Sequence, residues 1–154
     1  MEHNEKRRSV LRNIGMGVAA LLGAGTVKAA PSKGKKEVVG EIIEDQNMPL
    51  FSGAVRHGNT LYIAGKGAHF DGDIKAHTDH VLNELQKELE RNGSSMEQVL
   101  KVNVYLADLA DYHSMNEVYR GRFGENPPVR TTVATYGGVP GDSLVEIDCI
   151  AAVE

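Results

Sequence analysis

Two stretches late in the chain restrict its fold more than any other feature. Pro127-Pro128-Val129-Arg130-Thr131-Thr132-Val133-Ala134 and Leu144-Val145-Glu146-Ile147-Asp148-Cys149-Ile150-Ala151 are rich in β-branched and apolar residues and bounded by turn formers, so both read as strands. The prolines stop a helix from running into the first. Gly137-Gly138-Val139-Pro140-Gly141-Asp142 separates the two as a loop. Arg130 in one strand, and Glu146 and Asp148 in the other, put charge where a buried strand ordinarily has none. If the strands are neighbours, a guanidinium and two carboxylates share one face of a sheet. Spacing alone leaves two readings, an internal ion pair or a site. Burying ions costs several kcal/mol each unless they are fully paired, which gives the second reading its weight.

Upstream, the pattern predicts a short strand at Val38–Ile43, then a hairpin of Phe51–Arg56 and Thr60–Ala64 across His57-Gly58-Asn59. Gly65-Lys66-Gly67 ends the second strand and allows another backbone or a ligand to come close. Asp73 caps a long helix whose residues Ile74, His77, Val81, Leu82, Leu85 and Leu89 recur at three- and four-residue steps, and Asn92-Gly93 closes it. Leu100, Val102, Val104 and Leu106 alternate with Lys101, Asn103 and Tyr105, as in a strand with one face on the core. A second helix is expected over Asp111–Phe123, with Asp111 as cap, Gly124 as stop and Tyr112, Met115, Val118, Tyr119 and Phe123 turned inward. The sum is an α+β domain, a mixed sheet with two helices on one face. Its other face carries the charged strands and needs cover, which oligomerisation supplies.

The N-terminal segment has a different character. Lys6-Arg7-Arg8-Ser9-Val10-Leu11-Arg12 precedes an apolar run from Ile14 to Val27, and Val27-Lys28-Ala29 ends it with small residues at a peptidase-like spacing. The run is shorter than the ~20 residues of a spanning helix. Residues 1–29 are expected to be a twin-arginine-type export signal, the alternatives being an ordinary Sec signal or a basic-flanked membrane anchor. Residues 30–37 are expected to be a polar linker and residues 38–154 the folded domain, with periplasmic localisation and membrane contact only through the signal. The formal charge of −4 rises to −7 without residues 1–29, leaving 12 basic and 19 acidic residues. An acidic body argues against a nucleic-acid partner. The single cysteine, Cys149, excludes an intrachain disulfide and reads as a buried small hydrophobe. His69, Asp71, Asp73, His77, Asp79 and His80 are all of metal-ligating type, but the spacing fits a solvated helix start, and no metal is assigned.

Several short motifs, taken in order, carry a resemblance: Phe51-Ser52-Gly53-Ala54-Val55, Gly58-Asn59-Thr60-Leu61-Tyr62-Ile63-Ala64-Gly65, Val99-Leu100-Lys101-Val102-Asn103-Val104-Tyr105-Leu106, Met115-Asn116-Glu117-Val118-Tyr119, Pro127-Pro128-Val129-Arg130 and Val145-Glu146-Ile147. From about Glu41 to Val153 the chain resembles the RidA/YjgF family of imine and enamine deaminases. The resemblance implies a chorismate-mutase-like α+β fold with a six-stranded mixed sheet, assembled as a homotrimer with clefts between subunits. It also implies cofactor-free hydrolysis of 2-imino acids to 2-keto acids and ammonia. Carried over by position, Arg130 binds the substrate carboxylate and Glu146 orients the attacking water. Gly65 offers its carbonyl and Thr132 its N–H, while Asn116 and Phe51 line the cleft. Phe51 stands where a tyrosine is typical, Ala64 where serine is common and Thr132 where cysteine is common; the first two make the cleft less polar. An alternative of another class is an exported, non-catalytic trimer that binds a small carboxylate or acts as a holdase.

Overall fold

A computed structural model describes residues 34–154. The export signal expected over residues 1–29 and the first part of the linker lie outside the described residues. In chain order the elements are β1 (Lys36–Val38), β2 (Ile42–Asp45), β3 (Met48–Ser52), β4 (Ala54–His57), β5 (Thr60–Lys66), α1 (Ile74–Arg91), β6 (Val99–Leu106), α2 (Tyr112–Tyr119), β7 (Val129–Ala134) and β8 (Val145–Ala152). Six strands form one sheet in the order β1-β4-β5-β8-β6-β7, and β2 with β3 makes a separate ribbon. Every pairing in the large sheet is antiparallel except β6 with β7. The sheet is therefore mixed, as expected.

The predicted first strand, Val38–Ile43, divides in two. β1 begins at Lys36, inside the stretch expected to be linker, and Val39 and Gly40 both bond the Ala54 carbonyl where the chain turns away. The Phe51–Arg56 strand likewise breaks at Gly53, so Phe51 belongs to the ribbon while Ala54 to His57 join the sheet. The β4–β5 hairpin turns on Gly58 and Asn59, with Gly58 at φ +59°.

α1 forms for the reasons its sequence supplies. Asp73 Oδ1 accepts the Ala76 N–H at 2.8 Å, and Gly93 at φ +76° carries the chain off its end. Val81, Leu82, Leu85 and Leu89 are fully buried, each stabilising the fold by roughly 1.5–3 kcal/mol. They meet Leu61 and Ile63 of β5, Val102, Val104 and Leu106 of β6, and Val145, Ile147, Cys149 and Ala151 of β8. Register explains the match, since Leu61 lies opposite Ala151, Ile63 opposite Cys149, Val102 opposite Cys149 and Val104 opposite Ile147. One sheet face is thus continuous core under the helices.

Leu100, expected on that face, is 53% exposed. A bulge between Val99 and Lys101 slips the register against β8 and turns Val99 inward instead. α2 is also shorter than its pattern suggests. Its last backbone bond runs from Arg120 N–H to the Asn116 carbonyl, and Gly121 at φ +80° prevents continuation to Phe123. Asp111 makes no capping bond; Asp108 caps the preceding 3₁₀ turn by accepting the Ala110 N–H at 2.9 Å. Met115 and Phe123 nonetheless reach the core.

Candidate functional site

The two late strands are not neighbours. β6 lies between β7 and β8, and this corrects the expectation that Arg130 and Glu146 share a face. Arg130 aligns with Val102, and Val102 with Cys149, so the guanidinium leaves the sheet on the helix side. Glu146 aligns with Tyr105, and Tyr105 with Val133, on the opposite side. The offset from position 102 to 105 adds roughly 10 Å along the strands. An internal Arg130–Glu146 ion pair is thereby ruled out by topology. Asp148 also stands on the open side, where it accepts a hydrogen bond from Asn103 Nδ2 at 2.8 Å.

On the helix side, Arg130 is half-buried and held by α2. Its Nη1 donates to Asn116 Oδ1 at 2.8 Å and its Nη2 to the Tyr112 hydroxyl at 3.3 Å. The guanidinium carbon lies 4.6 Å from the Tyr119 ring centroid and 5.8 Å from that of Tyr112. Both are within cation–π range. Residues 112, 116 and 119 are one stripe of the helix, at steps of four and three. Among the described residues no carboxylate pairs with Arg130. Three of its five N–H donors therefore remain available.

Thr132, two residues on, faces the same way, and its hydroxyl is buried without a hydrogen-bond partner, as is that of Tyr119. Burial pushes the Tyr119 phenol up to about 12, with the neighbouring guanidinium working in the other direction. The phenol is accordingly a neutral ring at ordinary pH. A recess of about 530 Å³ opens beside it, lined by His113, Asn116, Glu117, Tyr119, Phe123 and Pro127 among others.

On the open side, Ala64 and Gly65 bulge from β5. The register jumps from Ile63–Cys149 to Lys66–Ile147, so two residues oppose Asp148 alone. That bulge brings the Gly65 backbone against the Glu146 carboxylate, and a Cβ at Gly65 would overlap it. A smaller recess of about 240 Å³ is lined by Tyr105, Thr135, Gly138, Val139, Pro140, Glu146 and Asp148. Burial, then Asp148 and Glu146, raise the Tyr105 phenol pKa. The same face exposes Tyr62, Val129 and Val133.

The structure thus brings Arg130 together with Asn116 and Thr132, and Glu146 together with Gly65. It does not join the two groups within one chain, and Phe51, 51% exposed, stands apart on the β2–β3 ribbon. Sequence reasoning treated Tyr112 and Tyr119 only as core; their four- and three-residue spacing around Asn116 was the signal available.

The histidine cluster resolves differently. His77 is 2% exposed rather than solvated. Its Nε2 faces the Phe70 carbonyl at 2.8 Å and its Nδ1 accepts the Leu144 N–H at 3.1 Å, so both ring nitrogens are engaged. Cys149 is buried as expected, and burial pushes its thiol up to about 12.

Fold and site define an α+β domain with a guanidinium fork on one side of its sheet and the Glu146 and Asp148 carboxylates on the other. Residues 44–153 match the family described as Endoribonuclease L-PSP. The chain is 41% identical over 125 residues to a RutC family protein of Pyrococcus horikoshii, covering 74% of this chain and 98% of that protein. It is 26% identical over 126 residues to a 2-iminobutanoate/2-iminopropanoate deaminase of Dermatophagoides farinae, covering 77% and 98%. A crystal structure of a YjgF/YER057c/UK114 family member from Mycobacterium tuberculosis superposes with a TM-score of 0.67 at 27% identity, covering 77% of this chain and 100% of that one. The chain belongs to the RidA/YjgF family.

Proposed function

We propose that the protein hydrolyses reactive 2-imino and enamine acids to 2-keto acids and ammonia, without a cofactor, in clefts between the subunits of a homotrimer. Arg130 binds the substrate carboxylate through its unpartnered N–H donors, a contact worth roughly 1.5–3 kcal/mol. Glu146 orients and polarises the attacking water, one of whose protons passes to the imine nitrogen as the C–O bond forms. The hydroxyl proton of the resulting carbinolamine follows as the C–N bond breaks, leaving the keto acid and ammonia. Gly65 contributes its carbonyl, Thr132 its N–H, and Asn116 and Phe51 line the cleft. One observation carries the reading: Arg130 is held in place by α2 yet pairs with no carboxylate among the described residues. A held, unneutralised fork in a half-buried position fits an external carboxylate.

The placement of Arg130 and Glu146 on opposite sides of one sheet favours a shared site. A molecule of imino-acid size spans a few ångströms, so it meets both groups only if the Arg130 side of one copy faces the Glu146 side of another. The exposed apolar residues of the open side give that second copy something to cover. β7 is a sheet edge, with backbone groups free for a ligand or a neighbour.

The twin-arginine-like residues 1–29 support export to the periplasm as a further part of this reading. Fusing them to a reporter and locating it in fractionated cells tests that part separately.

The deaminase reading is tested by coupling the protein to an amino-acid oxidase that generates the imine. Faster keto-acid release is expected from the wild type, and no acceleration from Arg130→Ala. Equal rates for the two proteins sink the reading. Arg130-dependent binding of keto acid with no acceleration at all supports a non-catalytic carboxylate binder instead.

A further inference from the structure

We propose that Tyr112 is a positioning residue for Arg130, its hydroxyl setting how tightly the fork takes a substrate carboxylate. The inference rests on the site reading above and adds a residue to it.

A free arginine side chain explores many rotamers, and fixing them on binding weakens affinity. Here the guanidinium is constrained before any ligand arrives. Its plane is set by the Tyr119 ring at 4.6 Å, one corner by Asn116 Oδ1 at 2.8 Å and the other by the Tyr112 hydroxyl at 3.3 Å. The ring alone leaves rotation within the plane, and one hydrogen bond leaves a pivot. The second bond, to Tyr112, removes that pivot. Because both fixed corners lie on α2, the remaining N–H groups keep a constant direction relative to Thr132 on the same sheet face.

Tyr112 is the first residue of α2, directly after the 3₁₀ turn, and it packs against the core only in part. Its ring supplies that packing, whereas its hydroxyl makes one hydrogen bond among the described residues, accepting from Arg130. The hydroxyl also retains a proton to donate onward.

Tyr112→Phe separates these roles, since it keeps the ring and deletes the contact. Turnover of oxidase-generated imine should show KM raised about three- to tenfold with kcat within a factor of two. Calorimetric titration with 2-oxobutanoate should show Kd weakened by the same factor, and titration with the uncharged 2-oxobutanamide no change. Thermal unfolding within about 1 °C of wild type is expected. An unchanged KM and Kd, with Arg130→Ala still inactive, overturns the inference and leaves the site reading standing. A fall in kcat alone overturns it too, since that marks an interaction made only in the transition state rather than in binding. Full activity in Arg130→Ala overturns the site reading, and this inference with it.

Discussion

The two sides of the sheet handle charge in opposite ways. On the helix side, α2 folds over Arg130 and supplies two acceptors and an aromatic platform, so the cation is ordered but not neutralised. On the open side, Glu146 and Asp148 sit two residues apart on β8, one against the Gly65 backbone and the other bonded to Asn103. One group is shaped by a helix and the other by a bulge. Ionic groups kept apart this way cannot quench one another.

The sharpest way to break the contrast is Arg130→Ala, which should lower kcat/KM by at least about 10- to 100-fold, judged from a lost charge-assisted contact, and so remove the measurable acceleration. Since no carboxylate among the described residues is orphaned by the change, the melting temperature should move little. A large fall in melting temperature would point to a structural cation. Next comes mixing. If each cleft takes Arg130 from one copy and Glu146 from another, co-refolding inactive Arg130→Ala with inactive Glu146→Ala should restore about a quarter of wild-type activity by random assortment. No recovery in verified mixed trimers would place both residues in one chain's site.

On the open side, Gly65→Ala sharpens the comparison. The added methyl overlaps the Glu146 carboxylate, so activity should drop and stability fall by about 1–3 kcal/mol. Denaturant unfolding and turnover on one preparation measure both. An unaffected variant would mean that the bulge is loose and Glu146 is not held by it.

The smallest effect is in pH. Cys149 and Tyr119, on the helix side, are raised by burial from 9.0 and 10.0 to about 12 each. Below pH 9 both are protonated whether folded or unfolded, and their contribution is intact. Between pH 9 and 12 the unfolded chain loses protons that the folded chain keeps, so stability should decline as pH rises through that window. Cys149→Ala should flatten part of the decline. Iodoacetamide should leave the native thiol unmodified at pH 8 and label it in denaturant; native labelling would contradict its burial.

Much of this was legible beforehand. Asp73 announces α1, the spacing of Val81, Leu82, Leu85 and Leu89 gives its buried stripe, and Gly58-Asn59 marks the hairpin. The order of family motifs singled out Arg130, Glu146, Gly65 and Asn116, and the structure sets Arg130 beside Asn116 and Gly65 beside Glu146. Local rules were less secure where a single residue decides the outcome. Leu100 obeys the alternation but is displaced by a bulge, and Gly121 ends α2 before its apolar pattern does. The breaks at Gly40 and Gly53 that create the β2–β3 ribbon look like continuous strands in the sequence.

The sequence by itself determined the elements, the α+β class and the pairing of apolar with polar positions along each strand, because those follow from backbone stereochemistry and a period of two or 3.6 residues. Only the tertiary structure decided that β6 enters between β7 and β8. Strand order across a long connection depends on which faces bury most surface, and no local pattern encodes it. That one insertion, through its register, sets Arg130 among the tyrosines of α2 and Glu146 on the far side of the sheet.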